Sequence, residues 1–198
     1  MDFVHLHVQS AYSLLASTVR LEQLVTEAKA KGMRSIALTD RNVMHGAIPF
    51  YKACKKQGIK PIIGLLADVL HGEETFPILL LAQNNKGYSN LLKISSSIQT
   101  KTKEGIPLKW LKGYSEGLIG ISPGEEGIVE QRALHGEMGE AMEAIRIFQM
   151  IFSPANFYLS VQNNGAVERG IVEELAKEAN VPVVATNAVC YLRPEDAV

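Results

Sequence analysis

The chain has 198 residues, 46% hydrophobic and 21% charged, the balance of one ordinary soluble domain large enough to enclose an apolar core. Twenty Lys and Arg against 21 Asp and Glu leave a net charge of −1, so no global field draws it onto nucleic acid or an anionic membrane, and any DNA contact must be local. Cys54 and Cys190 lie far apart and form no C-x-x-C pair, which excludes a disulfide scaffold and implies free thiols in a reducing cytoplasm.

The apolar runs Pro61–Leu70 and Phe76–Ala82 fall short of the ~18 to 20 residues that cross a bilayer, and the N-terminus lacks the layout of a signal peptide. The expectation is neither a membrane nor a secreted chain.

In chain order, Phe3–Val8 reads as a first strand. Thr18 is the expected N-cap of a helix whose Leu21, Leu24, Val25 and Ala28 repeat at helical spacing and whose stop is Gly32. A second strand over Ser35–Thr39 leads to a helix over Ala47–Lys56, stopped by Gly58. Strands over Lys60–Leu66 and Phe76–Ala82 flank a polar turn at His71–Thr75. A helix over Tyr88–Ile98, a charged loop over Lys101–Gly105 and a short helix over Leu108–Leu111 follow. The remaining pattern predicts a strand over Leu118–Ile121, a helix over Gly139–Phe152, a strand over Phe157–Val161, a helix over Val167–Ala179 and a strand over Pro182–Thr186. Seven strands, mostly alternating with helices and apolar on both faces, predict a barrel or a doubly wound sheet, and of the two the barrel is the expectation. At Pro194 a Pro-led helix is about to begin, so the chain reads as part of a longer one.

In parallel α/β folds, functional groups gather at the carboxyl ends of strands. Those ends supply His5 and His7, two residues apart and thus on one side of an extended chain, Asp40, Asn187 and Cys190. His, Asp and Cys are zinc ligands; each also has a plain structural use, as a hydrogen-bonded core imidazole, a cap or a small apolar group. No Walker loop, G-x-G-x-x-G, G-x-S-x-G or H-E-x-x-H is present. Asn163-Asn164-Gly165 reads as a turn. Lys101, Lys103, Lys109 and Lys112, with Trp110 among them, read as a solvated lysine face, with a phosphate backbone as the competing partner. His45, His71 and His135 are given no role.

The run Phe3-Val-His-Leu-His-Val-Gln-Ser-Ala-Tyr-Ser-Leu-Leu15, then Ala37-Leu-Thr-Asp40, Gly46-Ala47, Phe50-Tyr-Lys-Ala53 and Gly58-Ile-Lys-Pro-Ile-Ile-Gly64, closely resembles the opening of bacterial DNA polymerase III alpha subunits of the DnaE type, Gram-positive-like. Leu80-Leu-Ala82, Gly87-Tyr88, Asn90-Leu91, Phe157-Tyr-Leu159, Gln162, Gly165, Ala185-Thr-Asn187 and Tyr191 follow in the family's order. The resemblance implies a PHP (polymerase and histidinol phosphatase) domain over residues 1–198, N-terminal in a longer polymerase, with a distorted seven-stranded (β/α) barrel fold.

Intact members of the family hold a metal cluster that supports phosphoester hydrolysis, including 3'-5' proofreading. Against their pattern, His7 stands for the first histidine of the metal-binding pair and Gln9 for the second. Asp40 is kept, with Arg41 in place of the adjacent histidine. Leu66 replaces a bridging glutamate, Pro77 a histidine, Gly124 a cysteine, Asn164 a histidine, and Ala188 and Cys190 the closing Asp and His. The resemblance therefore implies a degenerate site, with no metal expected and His5, His7, Asp40 and Cys190 as residual candidates. The implied role is support of a DNA-directed DNA polymerase whose catalytic residues and magnesium lie elsewhere in the chain. Implied partners are the other polymerase domains, primer-template DNA, deoxynucleotides and the sliding clamp. The alternatives are a working single-metal PHP phosphoesterase or proofreading exonuclease on those four residues, and a free-standing interaction module.

Overall fold

The computed structural model describes residues 3–162 and 166–196. The elements run α1 (Leu21–Ala30), β1 (Ser35–Leu38), α2 (Ala47–Gln57), β2 (Lys60–His71), β3 (Glu74–Ala82), α3 (Asn85–Ser97), a π-helical turn (Ile98–Thr102), β4 (Ile106–Pro107), α4 (Leu108–Gly113), β5 (Leu118–Ile121), α5 (Ile128–Leu134), α6 (Met138–Phe152), β6 (Phe157–Val161), α7 (Ala166–Glu178) and β7 (Val183–Ala185). One curled sheet has the order β1-β2-β3-β5-β6-β7, with β4 beside the far end of β2.

Alternation along the strands sorts side chains between its two faces. Leu65, Ala67 and Val69 of β2 and Phe76, Ile78 and Leu80 of β3 pack with α3 to α7 in the larger core. Ile36 and Leu38 of β1 pack with α1 and α2. The opposite face presents Ala37, Leu66, Leu79, Leu81 and Ile121, which fill the inside of the curl.

Three expectations need correction. The sheet is mixed: β2 pairs antiparallel with β3, and β3 antiparallel with β5. His71 pairs with Glu74 across Gly72 and Glu73, with Gly72 at φ +63°, and so short a link can only make a hairpin. Phe3–Val8 is extended but forms no strand beyond a single bridge from Val8 to Val189. Its bonds are divided between neighbours: the His5 carbonyl accepts from Ala37 N–H, while Val189 N–H donates to the His7 carbonyl. The Thr39 hydroxyl takes the Val8 N–H at 2.9 Å and interrupts the ladder. The seventh strand is β4 instead. Third, α1 begins after Arg20 with no side-chain cap, and the Thr18 hydroxyl donates to the Asp196 carbonyl.

Candidate functional site

Asp40 follows β1 and is buried. Its Oδ1 accepts the Ser10 N–H at 2.6 Å, the Ser10 hydroxyl at 3.0 Å and the Ser13 hydroxyl at 2.8 Å, and its Oδ2 accepts the Ser10 hydroxyl at 2.9 Å. Burial pushes its pKa up, and the bonds from Ser10 and Ser13 oppose that push. The carboxylate ties the loop at residues 10–13 to the strand end.

The next two residues extend the pairing beside β2. Leu66 N–H donates to the Asp40 carbonyl and Asn42 N–H to the Leu66 carbonyl. Asn42 adopts φ +59°, a left-handed conformation that Asn tolerates better than most residues. Its amide donates to Asp68 Oδ2 at 2.6 Å, and its Oδ1 accepts the Asp68 N–H at 2.9 Å. Asp68 lies two residues beyond Leu66 on β2, hence on the same face. Arg41 forks onto it: Nε reaches Oδ2 at 3.2 Å and Nη2 reaches Oδ1 at 2.8 Å, while Nη1 reaches Glu126 at 3.0 Å. The Asp68 hydrogen bonds raise the Arg41 pKa above its ordinary value.

His7 is buried, and neither ring nitrogen has a hydrogen-bond partner among the described residues. Burial, helped by the Arg41 charge, pushes its pKa down to about 4, so the ring is neutral at pH 7. His5 sits apart from this cluster. It meets Phe3 edge-on at 4.8 Å and borders a hollow with Leu24, Ala28 and Lys31 of α1, and burial and the Lys31 charge lower its pKa. Cys190 is half-buried; burial and then the Glu126 charge push its thiol up. Its carbonyl accepts from Thr18 N–H and the Ser17 hydroxyl.

Among the substituted ligand positions, Leu66 is wholly buried in the inner core, Pro77 faces Asp68 in the β2–β3 ladder, and Gln9 is buried. Gly124 has φ +81°, and a Cβ there would lie 2.4 Å from the Gln162 side chain. Asn164, with the turn expected at 163–165, lies outside the described residues. Among the described residues, no group of three or more His, Cys, Asp or Glu side chains is placed to hold a metal ion.

Three participants escaped the sequence: Asn42, Asp68 and Glu126. Only Asp68 carried a signal, a lone carboxylate in an otherwise apolar strand.

A curled seven-stranded sheet wrapped by helices, with its polar cluster beyond the end of β1, is the architecture of the PHP domain. The model of that family matches residues 5–164, and the chain belongs to it. Within the family it is 49% identical over 202 residues to the DNA polymerase III subunit alpha of Bacillus subtilis, and 38% identical over 203 residues to that of Halalkalibacterium halodurans. Each alignment takes 99% of this chain and 18% of the relative, so the chain spans less than a fifth of their length.

Two solved structures share the fold at low identity. An amidohydrolase from Chromobacterium violaceum matches with a TM-score of 0.64 at 13% identity, over 98% of this chain and 89% of that one. A putative metal-dependent phosphoesterase from Bifidobacterium adolescentis matches at 0.62 and 10%, over 94% and 87%. No helix among the described residues is long and apolar enough to cross a membrane.

Proposed function

We propose that this chain is the PHP domain of a DNA-directed DNA polymerase alpha subunit, that its metal site is degenerate, and that it serves as an architectural brace for the polymerase. The observation that carries this reading is the Arg41 fork on Asp68. A metal cluster needs anionic or imidazole donors free to face a cation. Here a guanidinium follows the retained Asp40, brings its own positive charge and occupies the nearby carboxylate. Asp40 is itself committed to Ser10 and Ser13, and Leu66 is apolar. The residues present do not fit a metal cluster. Nucleotidyl transfer and its magnesium belong to other parts of the parent chain, and primer-template DNA, deoxynucleotides and the clamp are partners of that parent enzyme, in the cytoplasm.

The test is elemental analysis of protein purified without chelator, paired with thermal melting. Zinc, manganese and iron should each fall well below one ion per chain, and a chelator should leave the melting temperature unchanged, because an ion that does not bind the native state cannot stabilise it. The single replacement Gln9→His should produce no phosphoester hydrolysis, since multi-metal sites need several ligands together. A stoichiometric metal whose removal lowers the melting temperature would overturn the reading.

A further inference from the structure

We propose that the surface formed by the end of α3, the π-helical turn and α4 binds single-stranded nucleic acid. Residues 86–113 hold six lysines and a single acid, Glu104, in a chain whose net charge is −1. Positive charge is thus concentrated in one stretch while the rest of the molecule is acidic. Lys86 pairs with Glu116. Lys93, Lys101, Lys103, Lys109 and Lys112 are all exposed, and none has a carboxylate within ion-pair distance among the described residues.

Two cation–π contacts gather these lysines into one patch. The Lys101 ammonium lies 5.6 Å from the Trp110 ring centroid, which joins the π-helical turn to α4, and the Lys93 ammonium lies 5.9 Å from that of Tyr114, which joins α3 to the end of α4. Lys109 and Lys112, three apart in α4, share a helix face turned from that of Trp110 and extend the positive surface round the helix. Trp110 is 38% exposed, so part of its ring is open to a partner.

The backbone beneath the patch is fixed in an uncommon shape. The π-helical turn ends at Lys103, a non-glycine residue at φ +62°, and the Lys103 N–H closes onto the Ile98 carbonyl at 2.8 Å. The Thr100 and Thr102 hydroxyls donate to the Ser96 and Ser97 carbonyls. Such turns and left-handed residues cost energy and concentrate where function needs a particular presentation.

A partly exposed aromatic ring with Lys101 beside it, on a surface of lysines that lack carboxylate partners, matches a phosphate backbone whose unstacked bases have a π-face to offer. Duplex DNA would meet the lysines but leave the ring unused, so the single strand is the better fit. This inference stands apart from the reading of the metal site.

The experiment is a lysine-reactivity footprint of the intact polypeptide that carries these residues, with and without a single-stranded oligothymidylate of about 20 nucleotides. At low salt the oligonucleotide should protect Lys101, Lys109 and Lys112 several-fold, and the protection should vanish by about 500 mM salt. Trp110→Ala should weaken this local protection about tenfold, as expected for loss of one base-stacking platform, and Trp110→Phe should restore most of it with an unchanged melting curve. Lysines that stay equally reactive in both samples would overturn the proposal. So would lysines already protected without DNA, because the patch would then be covered by another part of the protein.

Discussion

At the scale of single residues, the cluster beyond β1 is tied together by its own hydrogen bonds, Asp40 to Ser10 and Ser13 and Asp68 to Arg41 and Asn42. His7 is neutral because burial and Arg41 oppose its charge, with its pKa pushed down to about 4. In the unfolded chain it titrates near 6.5, so between these values the unfolded state binds more protons and stability rises with pH. The His7 contribution is complete above about pH 6.5 and is lost as pH falls toward 4, a loss of about 3 kcal/mol at most. Asp40 acts in the opposite sense. Its raised pKa makes the folded state take up a proton first, so it adds stability as pH falls through that pKa toward 3.8. Urea unfolding at pH 7 and pH 4.5 should show a steeper loss in the native protein than in His7→Gln, which has no imidazole to charge. Equal losses in the two proteins would remove His7 from the account.

At the scale of elements, the close approach of α3 to the turn before β5 sets a strict size limit. A Cβ on Gly87 would lie 1.9 Å from the Gly117 carbonyl oxygen, whereas one on Gly113 at the end of α4 meets nothing within 4 Å. Gly87→Ala must push the helix off the sheet and should cost about 2 kcal/mol or more; Gly113→Ala should be neutral or slightly stabilising. Chemical denaturation of the two variants side by side checks the contrast. Much of the element pattern was legible for equally local reasons. Gly58 at φ +71° stops α2 as its position implied, and Phe157–Val161 is β6 as the alternation required. The direction of β3 against β2 was legible in the short polar link between them, which leaves room only for a hairpin; that of β5 against β3 was not, because a strand buried on both faces has the same apolar run whichever way its neighbour points. The seven-residue α5 is too short to establish a period. In the site, Asp40 could be picked out at a strand end, but the Arg41–Asp68 fork joins residues 27 apart in sequence, and only the assembled sheet brings them together.

At the scale of the whole molecule, three buried apolar clusters line the sheet among the described residues. Leu80 is fully buried at the centre of the larger core, and Leu80→Ala should cost about 2 to 5 kcal/mol. In the intact polymerase proposed above, that variant should lower the melting temperature and reduce primer extension on heating. Asp40→Ala and His7→Ala should leave nucleotide incorporation close to normal at temperatures where the fold survives. If His7→Ala abolished incorporation with the fold intact, a brace alone would not explain the domain.

The extended segment near the N-terminus has a consequence for how the molecule is made. Residues 5–9 bond on one side to β1 and on the other to Val189, and the Ser17 hydroxyl reaches the Cys190 carbonyl across 173 positions. On the ribosome this segment emerges ahead of β1 to β7, yet its partners at Val189 and Cys190 are translated only after all of those strands. At about 5 to 20 residues per second, it waits roughly 10 to 40 s with one edge unmet. The hairpin of β2 and β3 can form from neighbouring sequence during that interval, but the last seam of the barrel cannot. A nascent chain stalled before residue 187 should therefore keep the segment around His7 open to protease and close it only when synthesis resumes.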